Sequence, residues 1–577
     1  MNPTSLVSLL LPELILVVVA ACLFLLGLSN RPSSRRLAPV LAMLALGLVF
    51  AIQIVRVGDA GGPTRYDTYG GVASGGDGTA YGTLRASDFT EYVKLITAGM
   101  GMLLLLLAWP TGRDATGNAS LDYGDDAGEF FALMLLSLTG VLLVAGANDI
   151  MLLFLGIELA SIPTYIMVSL SRPLPVAQEA GVKYFFLGAF AAAIMLFGFS
   201  YLYGTTGSTN LYEIMLKLHP QGTTAPAAAS PWLSLAIVML VAGFAFKMAA
   251  VPLHFYAGDV YQGAATPVTA FLSFVPKASG FVALIKVLFA VGGPNWLLPE
   301  PLVRANGTGL LWVLALLTMT VGNVLGLLQY NVKRVLAYSS IAHTGYMLAA
   351  LAAVGVGQYV DTGGGPGIAG LGVQAVLFYL AAYGMMNIGA FGVLELLPAK
   401  DGRGSAETFE DLVGTGRRHV ALGLSMAVCC FSLIGIPLTV GFLGKLMIIK
   451  PALAAAQAGA VPGAESVRTA MTWLVVLTML NAAISAAYYL RIVATLFLRT
   501  EEHHPHHAQP GAVPPPAVFA HGAMPIALAV FLSVFGTLLF GMIPHATDVL
   551  GGSVVNASRL EGDVPAAVIA PTVAATR

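Results

Sequence analysis

Residues 244–277 read FAFKMAAVPLHFYAGDVYQGAATPVTAFLSFVPK. Two apolar arms flank a polar centre. Lys247 lies in the first arm and Lys277 in the second, with Pro252, His254, Asp259, Gln262 and Pro267 between them. A lysine at bilayer depth costs roughly 2.5–3.5 kcal/mol on insertion scales, so each one needs a reason. Pro252 removes a backbone donor shortly after Lys247, which predicts a broken helix there. Broken helices with ionisable groups at mid-depth are how transporters build ion sites. The plainer reading is that both lysines end helices and reach their ammonium groups to the interface. The apolar run 239–246 in front of Lys247 favours a deep position for that residue.

The rest of the chain supplies the setting. Of its 577 residues 57% are hydrophobic and 10% charged, with a mean hydropathy of +0.82. A soluble domain carries about 25% charge. Apolar runs of around 20 residues recur along the whole length, each long enough to span a bilayer. The chain therefore reads as an all-α polytopic membrane protein without a sizeable soluble domain. About fourteen spans are expected, near 6–28, 37–56, 88–109, 129–147, 149–170, 180–203, 232–256, 267–291, 308–329, 333–354, 369–397, 420–449, 470–498 and 522–543. The 1–30 stretch lacks a basic start and carries Glu13 in its apolar run, so it reads as a retained first helix. Net charge of −1 gives no sign of a nucleic-acid partner. Cys22, Cys429 and Cys430 all lie in apolar stretches and offer neither metal spacing nor a disulfide framework.

Basic residues orient the spans. Arg31, Arg35 and Arg36 put the first connection in the cytoplasm, and an even helix count then leaves both termini outside. Arg172, Lys333, Arg334, Arg417 and Arg418 fall on the same side, whereas Lys450 and Arg468 do not. The Gly- and Tyr-rich loop 59–87 reads as a small outer hairpin. The linker 501–516 carries His503, His504, His506 and His507 among prolines; metal binding is one reading and a solvated linker the simpler one. The Gly-rich stretches 70–76 and 363–367 precede no GK[ST] helix and make poor phosphate cradles.

Ionisable groups inside the spans point to function. Glu158, in GIELASIPTY, is too deep in its segment to reach the surface and needs a partner or a proton. Lys247 on a neighbouring helix is the first choice. Such a pair is a poor stability device but a useful switch, because moving one partner away changes the proton affinity of the other. Lys183 follows Glu179 by one helical turn; it is either a helix-end pair or part of a proton inlet. His343 sits among Ser339, Ser340 and Thr344 and can relay protons, or else packs as a hydrogen-bonded histidine. Gly435, Pro437 and Gly441 break another helix, with Lys445 just beyond. Two broken helices with adjacent lysines, one per half, suggest a duplicated transporter core. The match is imperfect, since Lys247 precedes its proline and Lys445 follows Pro437. Glu158, Lys247, Lys277, His343 and Lys445 together read as a lateral proton path, and the energy to drive it is expected from partner subunits.

Several stretches carry a resemblance to a known family: LGIELASIPTY (155–165), EAGVKYFFLGAF (179–190), residues 243–271, PKASGF (276–281), GNVLGLLQYNVKRVLAYSSIAHTGY (322–346), FEDLVG (409–414), SLIGIPLTVGFLGK (432–445) and AISAAYYLRIV (483–493). Together they cover most of 129–498, and they resemble the antiporter-like membrane subunits of respiratory complex I, the proton-pumping NADH–quinone oxidoreductase. EAGVKYFFLGAF and the lysine of GFLGK are similar to the N type rather than the M type, and no long C-terminal amphipathic helix points to the L type. The resemblance implies fourteen helices in two inverted five-helix repeats, with helices 7 and 12 broken. It divides the chain into three N-terminal helices with their outer loop (1–128), a first repeat on the proton-inlet side (129–291), a second on the outlet side (292–498), and a linker with the last helix and tail (499–577).

It also implies that Glu158 is the family's essential glutamate, Lys247 its pumping lysine, Lys277 its connecting lysine and Lys445 its outlet lysine, with His343 at a central-axis position. NADH, FMN, iron–sulfur clusters and the quinone would belong to other subunits, and the neighbours would be the M-type, K and J subunits in a bacterial inner membrane. Ala265 and Leu438 stand where the family pattern has proline. The alternative is a subunit of a multi-subunit sodium/proton antiporter or of an ion-pumping hydrogenase, which share this core; neighbouring genes separate the two. A stand-alone solute transporter fits less well, because the internal polar groups suit protons better than a larger solute.

Overall fold

The computed structural model describes residues 6–29, 32–58, 68–69, 82–110, 123, 126–172, 174–219, 230–293, 309–356, 368–399, 405–457, 465–499 and 523–542. The histidine linker, both Gly-rich stretches and most of the 59–87 loop lie outside the described residues. What is described of that loop pairs Thr68–Tyr69 antiparallel with Leu84–Arg85, the hairpin the sequence predicts.

Every expected span falls on a helix or a helix pair. Among the described residues twelve helices are long and apolar enough to cross a membrane, or thirteen if the bent pair Phe409–Arg418 and Val420–Ile434 counts as one span. Two expected spans are shorter, Leu11–Gly27 and Pro231–Lys247, at 17 residues each. The second is short because the chain leaves the helix right after Lys247 and resumes as Ala257–Gly263 and Thr266–Gly292. The 420–449 span is likewise two helices, Val420–Ile434 and Val440–Gln457, parted at Gly435, whose φ of 90° is one that side-chain-bearing residues seldom adopt.

Helix starts follow local chemistry. Asp149 accepts the Met151 N–H at 2.8 Å and Asn331 accepts the Arg334 N–H at 3.1 Å, so each caps the start of a helix that carries a candidate residue. Large apolar side chains such as Leu25, Phe186, Phe190, Met479 and Phe531 face outward, as a lipid solvent requires. Three helices occupy the interior: 89% of the spanning window of Thr266–Gly292, 94% of that of Gly370–Leu396 and all of that of Val332–Val354 is buried. Lys277 and His343 lie on two of these helices, so neither side chain can reach the lipid interface. Small residues bring the helices close; a Cβ on Gly140 would stand 2.2 Å from the Ala160 nitrogen of the Glu158 helix.

Candidate functional site

Lys247 is the last residue of its helix and is 2% exposed. Its Nζ donates to Glu158 Oε1 at 2.9 Å, Ser161 Oγ at 3.0 Å and Tyr165 OH at 3.2 Å. Three acceptors answer the three ammonium protons. The helix end adds to this, because its free carbonyls carry partial negative charge that favours a cation. Glu158 is therefore the partner that the sequence points to. The Tyr256 hydroxyl donates to the Phe246 carbonyl at 2.9 Å and ties the far side of the break to this last turn.

Lys183 takes a different place. It is 43% exposed, with Nζ 2.7 Å from Glu179 and 3.1 Å from Asp259. The helix-end pair with Glu179 is present, and Asp259 joins the pair to the break. Lys183 shares no partner with Lys247.

Lys277 is 2% exposed. It donates to the Ser340 carbonyl and, at 2.7 Å, to Thr344 Oγ1. Thr344 in turn donates to the Met248 carbonyl at 2.9 Å. One hydroxyl thus bridges Lys277 to the residue after Lys247. Tyr184, Tyr256 and Tyr261 line a small cavity between the two lysines, with room for about one water.

His343 lies on the same helix as Ser340 and Thr344 and is fully buried. Its Nδ1 is 2.5 Å from Tyr379 OH and its Nε2 3.0 Å from Tyr489 OH. A neutral imidazole has one donor and one acceptor nitrogen, and a phenol can serve either. A proton arriving at one nitrogen can therefore leave from the other once the hydroxyls turn. Tyr489 continues to the Ser339 hydroxyl.

Lys445 Nζ donates to the Ile434 carbonyl at 2.7 Å and lies 5.2 Å from the centre of the Tyr346 ring. Ile434 is the last residue of the first half of that broken helix. Both broken helices therefore end on an ammonium group. Lys247 is the end residue itself, whereas Lys445 reaches back across the gap from the second half. This accounts for the mismatched spacing of lysine and proline in the sequence: a helix C-terminus can be met from either side of the break.

Two groups of charge pairs escaped the sequence reading, although most of their members are named in it. Lys94 and Glu13 form a buried pair, Nζ to Oε1 2.7 Å, in the N-terminal helices. Lys94→Met is expected to cost about 3–5 kcal/mol by stranding a buried carboxylate. Adding Glu13→Gln should return most of that loss. Thermal denaturation of the detergent-solubilised protein checks this, and a single variant as stable as the double would contradict it.

The second group lines the face that carries the basic loops and joins the two halves of the chain. Arg172 pairs with Glu407, Lys333 with Glu407 at 3.3 Å, and Arg334 with Asp259 at 2.7 Å. Burial raises the carboxyl pKa of Asp259 and Glu407, but the cations outweigh it and hold both below their ordinary values. A depressed carboxyl stabilises the fold above its unfolded pKa and loses that contribution as pH falls through the folded one. The melting temperature should accordingly drop as pH falls below about 4. A melting temperature unchanged between neutral pH and that range would count against these pairs holding the halves together.

Residues 147–472 match the NADH:quinone oxidoreductase/Mrp antiporter transmembrane family. The chain belongs to this family. Within it, a protein from Trichlorobacter lovleyi named NADH-quinone oxidoreductase subunit N is 38% identical over 72% of this chain and 74% of its own length. One from Solibacter usitatus, named NADH-quinone oxidoreductase subunit N 1, is 33% identical over 92% of this chain and 94% of its own. Among solved structures, a chain of respiratory complex I from Thermus thermophilus is 28% identical, with a TM-score of 0.63 over 92% of this chain and 98% of that one. A chain of the Mrp complex from a Dietzia species superposes with a TM-score of 0.71 over 97% and 99%, at 19% identity, which speaks to the fold alone. The family match includes Glu158, Lys247, Lys277, His343 and Lys445.

Proposed function

We propose that the chain translocates protons as the N-type membrane subunit of a respiratory NADH–quinone oxidoreductase. The observation that carries this is the run of contacts from Glu158–Lys247, through Met248 and Thr344, to Lys277, whose ammonium group and the His343 ring both lie against the Tyr383 ring, at 5.5 and 5.0 Å from its centre. Protons load at the Glu158–Lys247 pair, with Lys183 and its carboxylates at the inlet. They pass along Lys277 and His343, and leave by Lys445. The positive-inside rule puts the face with Arg172, Lys333 and Arg334 in the cytoplasm and both termini opposite.

The first repeat, 129–291, then holds the inlet and the second, 292–498, the outlet. NADH, FMN, the iron–sulfur clusters and the quinone belong to the other subunits, so the driving event reaches this chain through the M-type, K and J neighbours in the inner membrane. Breaking or restoring the Glu158–Lys247 pair changes how tightly each partner holds its proton. Coupling needs an element with two states, and the broken helix beside Lys247 is the natural one. The identity to subunits named for NADH–quinone oxidoreductase favours this reading over the sodium/proton antiporter.

The test is NADH-driven proton uptake by inside-out vesicles carrying Lys277→Met, with quinone reduction recorded in parallel. Uptake should fall on the order of a hundredfold, because methionine keeps the packing and removes the proton carrier. Uptake per electron equal to wild type would refute the path.

A further inference from the structure

The Lys277 helix packs on the helix Ile368–Leu396. On the first, Thr266, Thr269, Ser273 and Lys277 are spaced by three, four and four residues and so share one face. All four are buried. On the second, Tyr383 and Asn387 share a face one turn apart, and Glu395 follows about two turns further along the helix. The two polar stripes meet at both ends. At the inner end Lys277 Nζ lies 5.5 Å from the centre of the Tyr383 ring. At the other end Thr266, whose hydroxyl lies 3.2 Å from Ser405 Oγ, sits beside the Glu395 carboxyl.

Glu395 is only partly buried and sits at the basic face, where Arg172, Lys333 and Glu407 act on it and Tyr123 lies near. In the lateral path described above it has no part. Between the stripes, Tyr383 OH and Asn387 Oδ1 are fully buried and lack a protein hydrogen-bond partner. Tyr383 OH lies beside the Ser340 hydroxyl and the Asn387 amide without good hydrogen-bond geometry to either. Buried polar atoms of this kind are satisfied by ordered water.

We propose that Glu395 is a second proton-uptake site that reloads Lys277 directly from the basic face along this hydrated seam, while the Glu158–Lys247 pair still drives Lys277 to release the proton it holds. The inference rests on Lys277 being a proton carrier. From Thr266 to Lys277 the seam is about 16 Å long at the helical rise per residue. In the transfer, the O–H bond of the protonated Glu395 carboxyl breaks. Water and the Tyr383 hydroxyl relay the proton, and an N–H bond forms on a Lys277 amine that has already given its proton towards His343. The Glu395 carboxylate then takes a proton from water at the basic face, so charge and atoms balance over the cycle. Arg172 and Lys333, each paired with Glu407, lend their positive charge to the Glu395 carboxylate at longer range between turnovers.

The experiment uses the whole complex in inside-out vesicles, with NADH-driven proton uptake and quinone reduction measured for Glu395→Gln, Glu395→Asp, Tyr383→Phe and Lys277→Met. Uptake in Glu395→Gln should fall on the order of tenfold, as for loss of a positioned proton donor. Glu395→Asp should recover most of it, and Tyr383→Phe should reproduce part of the loss. Infrared difference spectra of the wild-type complex should show a deuterium-sensitive protonated-carboxyl band that Glu395→Gln removes and Tyr383→Phe shifts; a purely structural glutamate would not give it. Normal uptake in Glu395→Gln alongside lost uptake in Lys277→Met would overturn the second route and leave the main path standing. Normal uptake in Lys277→Met would instead remove the path itself. Should Glu395→Gln fail to assemble, a wild-type spectrum without a carboxyl band sensitive to Tyr383→Phe would also overturn the proposal.

Discussion

Lys247→Met and Glu158→Gln should each cut NADH-driven proton uptake on the order of a hundredfold, and the double variant should be scarcely worse than either. The reason is geometric. Lys247 Nζ has three acceptors, and only Glu158 among them carries charge. Removing the lysine strands a carboxylate that is 15% exposed and takes away the charged partner with which it exchanges a proton. Removing the carboxylate leaves the ammonium on Ser161, Tyr165 and the helix end, where nothing remains to modulate its hold on a proton. Groups that act as a unit are lost together, hence the non-additive double variant. Ser161→Ala, which deletes one neutral acceptor, should cost far less. Proton uptake and quinone reduction in vesicles, recorded for all four, check the pattern. Additive losses, or a Lys247→Met variant that pumps at the wild-type ratio, would show that the two residues work separately or not at all.

Gly140→Val should prevent assembly of the subunit. A Cβ at position 140 would stand 2.2 Å from the Ala160 nitrogen and 2.7 Å from both its Cα and the Gly156 carbonyl oxygen, all backbone atoms that cannot swing aside. The two helices would have to separate, at a cost of about 3 kcal/mol or more. Separation would also break the bond from Ser137 Oγ to the Ala160 carbonyl, 2.6 Å. It would move Glu158, on the same stretch of helix, away from Lys247. Native gels of solubilised membranes should show the subunit missing or degraded. Gly47→Val, at a glycine whose added Cβ meets nothing within 4 Å, is the control and should assemble normally. A Gly140→Val complex with wild-type abundance and pumping would mean that this helix contact is not needed to hold the site.

Much of the site was legible in the chain because its signals are local. Apolar run length fixes a span, and a proline near a lysine fixes a break; both depend only on neighbours along the backbone. Glu158 and Lys247 could be paired from sequence because each was an ionisable group buried in an apolar run, with few partners of opposite sign to choose from. Lys277 and His343 stood out for the same reason.

What the tertiary structure decided lies between helices far apart in sequence. Tyr379 and Tyr489 become the partners of His343 only through packing, because tyrosines in apolar helices look like core residues until a buried hydroxyl is seen to need a partner. Lys445 finds the Ile434 carbonyl across a bend whose angle no local pattern states. Thr344 joins the break after Lys247 to Lys277, and Glu407 clamps Arg172 to Lys333, only because three-dimensional packing turns particular faces towards each other. Residue type and periodicity say which groups must be satisfied inside a membrane; the crossing of the helices says by whom.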